Sequence, residues 1–428
     1  MRRANPLLFI FIALFLACQE EKDEVLPEVA VLLPTENSVF KVLDTVLIQA
    51  TVRDNEKIEQ VLVQLEELGS GRKVGKTLTF TPSGRSFDLN TLYVIEDSLL
   101  NSGDYFFRVQ ASDGENQNAA FATISLQGIA KRTLGVYLLL DEGNRREIAE
   151  LDQNNQFSTL FPAGQSRELV FNSRAQLLWW ADRNTQQMQA FQVKDQQLFS
   201  PFFPNGGNVA DPIQLIRGVG DLTYVATANG FMQAYNGTLA DVFTYQSPSN
   251  FKVDRIYPLG NRIMIQESDR LDQNQRFLYL FSNGAIESRS SSNQEVIGFG
   301  TAQQAGSAFQ FIKEGSQMQV RAYDLNLGNS SFFLQKMNFD YQRLIQIDAF
   351  NYLFYNQSEV VTYNLSTNFR NTLASGLTDP VVAYNPADRT VYVGSGTELS
   401  VFDQVQGTLI STISVPYPIV DIAIRYNK

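Results

Sequence analysis

Histidine is absent from this 428-residue chain and cysteine occurs once, at Cys18. Ser-His-Asp and Cys-His catalysis, imidazole-ligated zinc, Cys₄ zinc and an intrachain disulfide are therefore excluded. Carboxylates, guanidiniums, amides and aromatic rings remain. With 45 Asp and Glu present, two carboxylates about 5 to 9.5 Å apart are a catalytic arrangement still open to the chain. No acid recurs at equivalent inward-facing positions of the repeats described below, so ligand binding is the first reading. A carboxylate-dependent hydrolase or lyase acting on a glycan or lactone is the alternative, and a protein–protein scaffold is the third.

Two stretches stand out as candidate chemistry. Glu267-Ser-Asp-Arg-Leu-Asp-Gln-Asn-Gln reads as the longest loop, acidic and amide-rich. It can form a rim that grasps a polar or cationic ligand, or hold calcium through oxygen ligands. It lacks the twelve-residue calcium-loop pattern, so a solvated loop is the plainer reading. Trp179-Trp180 can offer a stacking platform to a ring, but neighbours on a strand face opposite ways, which favours core packing. No phosphate-binding glycine motif opens a helix, and no cofactor is called for.

The elements that must position these residues are all strands. The chain is 44% hydrophobic and 12% aromatic, enough for a large core, and a helical period is nearly absent. From 27 to 128 six or seven short alternating runs, among them Thr45-Val-Leu-Ile-Gln-Ala-Thr-Val and Tyr105-Phe-Phe-Arg-Val, predict a β-sandwich. From 131 to 428 the sequence repeats. Strand ends of the form hydrophobic-then-polar fall at Leu151-Asp152, Phe191-Gln192, Tyr235-Asn236, Phe281-Ser282, Tyr323-Asp324, Tyr363-Asn364 and Phe402-Asp403. Their spacing of 39 to 46 residues matches the ~40 to 45 of a four-stranded propeller blade. Seven units follow. One strand is missing at the start of the first unit and present at the C-terminus as Ile419-Val-Asp-Ile-Ala-Ile-Arg-Tyr, so the expectation is a seven-bladed β-propeller closed by pairing of its chain ends, which also removes exposed sheet edges.

Several of these residues carry family resemblances. Arg2 and Arg3, the apolar run Leu7 to Ala17 and then Cys18 form a signal core too short for the ~20 residues that span a bilayer. Leu16-Ala17-Cys18 resembles the lipobox of bacterial lipoproteins, although Phe15 stands where Leu is usual. The resemblance implies removal of residues 1–17 and lipidation of Cys18. The acidic linker 18–26, beginning Gln19-Glu20-Glu21-Lys22-Asp23-Glu24, resembles the export signal of Bacteroidetes surface lipoproteins and implies the outer membrane, exposed at the cell surface, with the periplasmic face as alternative. Ser102-Gly103-Asp104-Tyr105 resembles the tyrosine corner of immunoglobulin-like modules. The unit from Val381 to Asp403, with Asn385-Pro386-Ala387-Asp388, Val391-Tyr392-Val393 and Phe402-Asp403, resembles the YVTN-type propeller repeat. That family includes surface lipoproteins that capture a ligand for an outer-membrane transporter.

A propeller binds at the mouth of its channel, on loops that lead into the innermost strands or join the second and third. Those positions give Arg167, Asp182, Arg183, Asp211, Asp269, Arg270, Asp379 and Tyr417 as candidate ligand-binding residues. The expected partner is an outer-membrane transporter or another surface protein, and the expected ligand a small molecule or glycan. A formal net charge of −11 argues against nucleic acid, and membrane contact is expected through the lipid alone.

Overall fold

The computed structural model describes residues 24–428 except 69, 70, 72, 183–186, 201–212, 260, 261, 273, 282 and 305. The N-terminal residues 1–23 with Cys18, and Arg183 and Asp211, lie outside the described residues. The chain is all-β, with no helix among the described residues, and divides into two compact units, 1–130 and 131–428.

In the first unit, strands Glu28–Leu33, Thr45–Arg53 and Ser86–Val94 form one sheet. Ser38–Lys41, Gln117–Gln127, Gly103–Ser112, Gln60–Glu67 and Lys73–Phe80 form the other in that order, the first pair parallel. Strict alternation along these strands leaves each sheet one apolar face. Val46, Ile48, Ala50 and Val52 of one sheet and Val61, Val63, Phe107, Val109 and Ile124 of the other make a single core. The Tyr105 hydroxyl donates to the Asn101 carbonyl at 3.1 Å, fixing the corner that precedes its strand. No disulfide contributes, so burial and strand pairing carry this unit alone.

Among its described residues the second unit holds seven four-stranded antiparallel sheets. Six are consecutive meanders whose innermost strands are Leu169–Asn172, Ile213–Val219, Phe251–Leu259, Val296–Thr301, Arg343–Gln346 and Val381–Asn385. We number these sheets two to seven. The first sheet takes its innermost strand from the C-terminus: Ile419–Tyr426 pairs with Thr133–Asp141, with Ile422 opposite Leu138 and Ile424 opposite Val136. Successive innermost strands touch from the second sheet to the sixth, and Ile419–Tyr426 touches those of both the second and the seventh sheet.

Burial explains why the second strands read as unbroken apolar runs. Each sheet is packed on both faces, so neither parity of side chains can go to water. Val136, Leu138 and Leu140 pack against Leu399 and Val381 of the seventh sheet, whereas Tyr137 and Leu139 pack against Leu178 and Trp180 of the second. Five further clusters join the second sheet to the third and so on to the seventh. Seven sheets thus share seven hydrophobic interfaces.

The recurring polar residue at the end of the third strand is a turn lock. Asp152 Oδ1 accepts from the amides of Asn154 and Gln156 at 2.8 and 2.7 Å, and Asp324 Oδ1 from Asn326 and Leu327. Asn236, Asn364 and Asp403 do the same for their own turns. A short acceptor side chain that bonds its own backbone two residues on is what such a turn requires. The repeat signal therefore reports turn chemistry and not a binding site.

Candidate functional site: the hub of inner strands

An innermost strand has one edge without a β partner, and its backbone groups still need hydrogen bonds. Side chains from the next sheet supply them. Leu169 N donates to Asp421 Oδ2 at 2.8 Å, joining the second sheet to the first. Ile216 N donates to Glu168 Oε2 at 2.6 Å, joining the third to the second. Gln346 reaches from the sixth sheet to the fifth, accepting from Thr301 N at 2.8 Å and donating to Thr301 O at 2.9 Å. Arg255 donates to Ile297 O of the fifth sheet, and to Gln342 O beside the sixth at 3.2 Å.

These staples leave a polar wall at the hub. Arg217, Arg255 and Arg343 stand on three different innermost strands. Arg343 lies over the Tyr355 ring at 5.9 Å, and the Tyr257 hydroxyl is within 2.7 Å of Gln266 Oε1 and 3.0 Å of Ile297 O. Burial pushes both tyrosines up, and nearby guanidiniums partly offset it. Burial also pushes the Asp421 carboxyl up to about 6, against the pull of the Leu169 and Ile422 amides and of Arg217 and Arg343. Perturbed groups converging on one place are the physical mark of a candidate site. Both Asp421 oxygens are committed to backbone amides, which suits positioning and not proton transfer.

The residues expected at the channel mouth fare differently. Asp182 ends the second strand of its sheet and accepts from Gln165 N at 3.0 Å. Its carboxylate sits where a Cβ on Gly164 would fall, 2.2 Å from the Asp182 carboxyl carbon, and Gly164 has φ +56°, so only glycine fits there. Asp269 is also a turn lock, accepting from Leu271 N at 2.8 Å and from the Asn250 amide. Arg270 donates to Ala228 O, and its amide to Asn250 O at 2.9 Å. Both residues clasp the rim together. Arg167 is exposed beside a void of about 10 Å³, room for at most one water. Asp379 is exposed at φ +43°, and Tyr417 is exposed against Glu142. These residues share one end of the ring, and no contact brings them into one constellation among the described residues.

Two sequence readings of this region change. Glu267, expected on a loop, lies inside strand Arg262–Asp269 and is fully buried. Its Oε1 accepts from Tyr245 at 2.7 Å and from Ser247, and Arg276 lies 3.7 Å from Oε2. The strand runs on to Asp269 because apolar neighbours Ile263, Met264 and Ile265 carry it past the first charged residues. No group of three or more acidic side chains that could hold a metal occurs among the described residues, which leaves the calcium reading without a ligand set. The tryptophans are core: Trp179 is 0% exposed, and Trp180 stacks on Phe161 at 5.6 Å. The hub arginines were missed in the sequence, although a lone cation inside an apolar strand, as in Ile213-Gln-Leu-Ile-Arg, was a signal for them.

No family model matches the chain, and no curated protein matches it. Among solved structures, it is similar to a chain of the mitotic checkpoint complex, 11% identical over 60% of this chain and 80% of that one, with a TM-score of 0.46. A computationally designed protein, Ika8, is 12% identical over 68% of this chain and 90% of its own, with a TM-score of 0.44. A chain of a nidogen/laminin complex is 13% identical over 68% and 98%, with a TM-score of 0.39. No helix among the described residues is long and apolar enough to cross a membrane.

Proposed function

We propose that this protein is a surface lipoprotein, anchored through lipid on Cys18, in which an immunoglobulin-like spacer carries a seven-bladed β-propeller of the YVTN type. The propeller binds a ligand or partner as an accessory to an outer-membrane transporter. Support for the spacer comes from the two facing sheets and the Tyr105 corner. Support for the propeller comes from seven four-stranded sheets, the first completed by the C-terminal strand.

The observation that carries binding over catalysis is the hub itself. Arg217 and Arg343 look onto it, whereas its one carboxylate with a raised pKa, Asp421, is tied to the Leu169 and Ile422 amides. A glycosidase needs two carboxyls, one of them free to move a proton. Cations and tyrosines carried on strands are instead what a preorganised binding site uses.

The test is to crosslink the native lipoprotein on intact cells and identify what co-purifies by mass spectrometry. A stoichiometric outer-membrane transporter is expected. Recovery of the lipoprotein alone, or hydrolysis of a glycan by the purified chain, overturns the accessory role. For the anchor, Cys18→Ala is expected to release the protein from the membrane fraction.

A further inference from the structure

The alternation of an antiparallel meander sorts loops into two ends. Turns joining first to second and third to fourth strands lie at the end opposite the hub mouth. At that end a groove of about 570 Å³ opens between the sixth and seventh sheets, within the ~300 to 1,000 Å³ of small-molecule sites. It is lined by Asp348, Asn351, Phe369, Asn371, Tyr384 and Arg389, among others.

One side of the groove is locked. Asp348 Oδ1 accepts from the amides of Phe350 and Asn351 at 2.9 Å each, and the Asn351 side-chain amide donates to Asp348 Oδ2 at 2.8 Å. Asn351 Oδ1 then accepts from Asn364 Nδ2 at 2.8 Å. This network holds the floor in one geometry before any ligand arrives, which lowers the entropy of binding.

The rest of the lining, from the outer strand of the sixth sheet and from the seventh, is uncommitted. The side chains of Asn371, Tyr384, Arg389 and Gln404 line the groove and make no hydrogen bond among the described residues. Together they offer two carboxamides, a phenol and a guanidinium, hence both donors and acceptors. Phe369, 65% exposed, and Val405, 66% exposed, add apolar surface on the same rim. Asp348 and Arg389 give the lining one charge of each sign, so its formal net charge is zero.

We propose that this groove is a binding site for a neutral oligosaccharide. A sugar ring presents hydroxyl groups at its edge and C–H groups on its face. Hydroxyls pair with carboxamides that both donate and accept, and the C–H face packs on an exposed ring such as Phe369. An apolar peptide finds too many unsatisfied amides to desolvate. This site is separate from the hub and holds whether or not a transporter co-purifies.

The experiment is an array of neutral, acidic and sulfated oligosaccharides probed with the full chain, followed by calorimetric titration of the strongest binder against variants. Retention of neutral oligosaccharides is expected. Asn371→Ala, Gln404→Ala and Phe369→Ala are each expected to weaken binding about tenfold or more, with an unchanged melting temperature showing that the fold survives. Retention only of charged glycans, no retention at all, or an affinity unchanged from the native chain in all three variants overturns the proposal.

Discussion

Asp421 of the last strand accepts a hydrogen bond from the Leu169 amide at 2.8 Å, across 252 residues of sequence and from one sheet to the next. The carboxylate thereby serves an amide that has no strand partner. Its own burial raises its pKa to about 6, so the staple carries a pH dependence.

The folded chain binds the Asp421 proton more tightly than the unfolded chain, whose carboxyl titrates near 3.8. Stability from this group is thus complete below pH ~4 and lost as pH rises through 6. Asp421→Asn removes the titration. The stability of the variant relative to the native chain is expected to rise by about 2 to 3 kcal/mol between pH 4 and pH 8. Urea unfolding at the two pH values measures this, and a constant difference contradicts it.

The pairing of the C-terminal strand with Thr133–Asp141 is a second point of leverage. Arg425 of the C-terminal strand forms an ion pair with Glu150, both mostly buried, and Lys131 lies over the Tyr426 ring at 3.9 Å. Removing one partner strands a buried charge, so Arg425→Ala and Glu150→Ala are each expected to cost about 3 kcal/mol, and the double variant clearly less than the sum. Deleting Ile419–Lys428 leaves Thr133–Asp141 an open edge on an apolar interface, and aggregation is the expected outcome in size-exclusion chromatography.

The two tryptophans give a spectroscopic check on the core reading. Trp179 and Trp180 are 0% and 2% exposed, so blue-shifted emission and weak acrylamide quenching are expected. Trp179 Nε1 has no hydrogen-bond partner, which makes Trp179→Phe milder than Trp179→Ala, whose cavity is expected to cost about 3 to 5 kcal/mol. Strong quenching in the native chain would place the rings at a surface and revive the platform reading.

What was legible in the sequence follows from which forces are local. The period of Leu151, Phe191, Tyr235 and their equivalents is written in every repeat because each turn needs its own Asp or Asn lock, as at Asp152 and Asp403. The unpaired first strand announced Ile419–Tyr426 for the same reason, since strand count is a local property. The hub was illegible because Asp421, Arg255 and Gln346 bond to backbone tens to hundreds of residues away. Asp182 and Asp269 looked like ligand contacts because an acid that holds backbone amides and an acid that binds a ligand are the same residue type. Only their partners tell them apart.

Glu267 is the sharpest case of that ambiguity and tests it. As a rim acid it would bind cations, and calcium would stabilise the protein by mass action. As found, it is a fully buried carboxylate held by Tyr245, Ser247 and Arg276. Glu267→Ala then leaves Arg276 facing a void and two hydroxyls without their acceptor, a change expected to cost about 3 to 5 kcal/mol. Glu267→Gln keeps one acceptor oxygen for Tyr245 and Ser247 and is expected to cost less. Millimolar calcium is expected to leave the melting temperature of all three proteins unchanged. A calcium-dependent rise in the native chain that Glu267→Gln abolishes would show that the carboxylate reaches solvent and binds the ion, against the buried position found here.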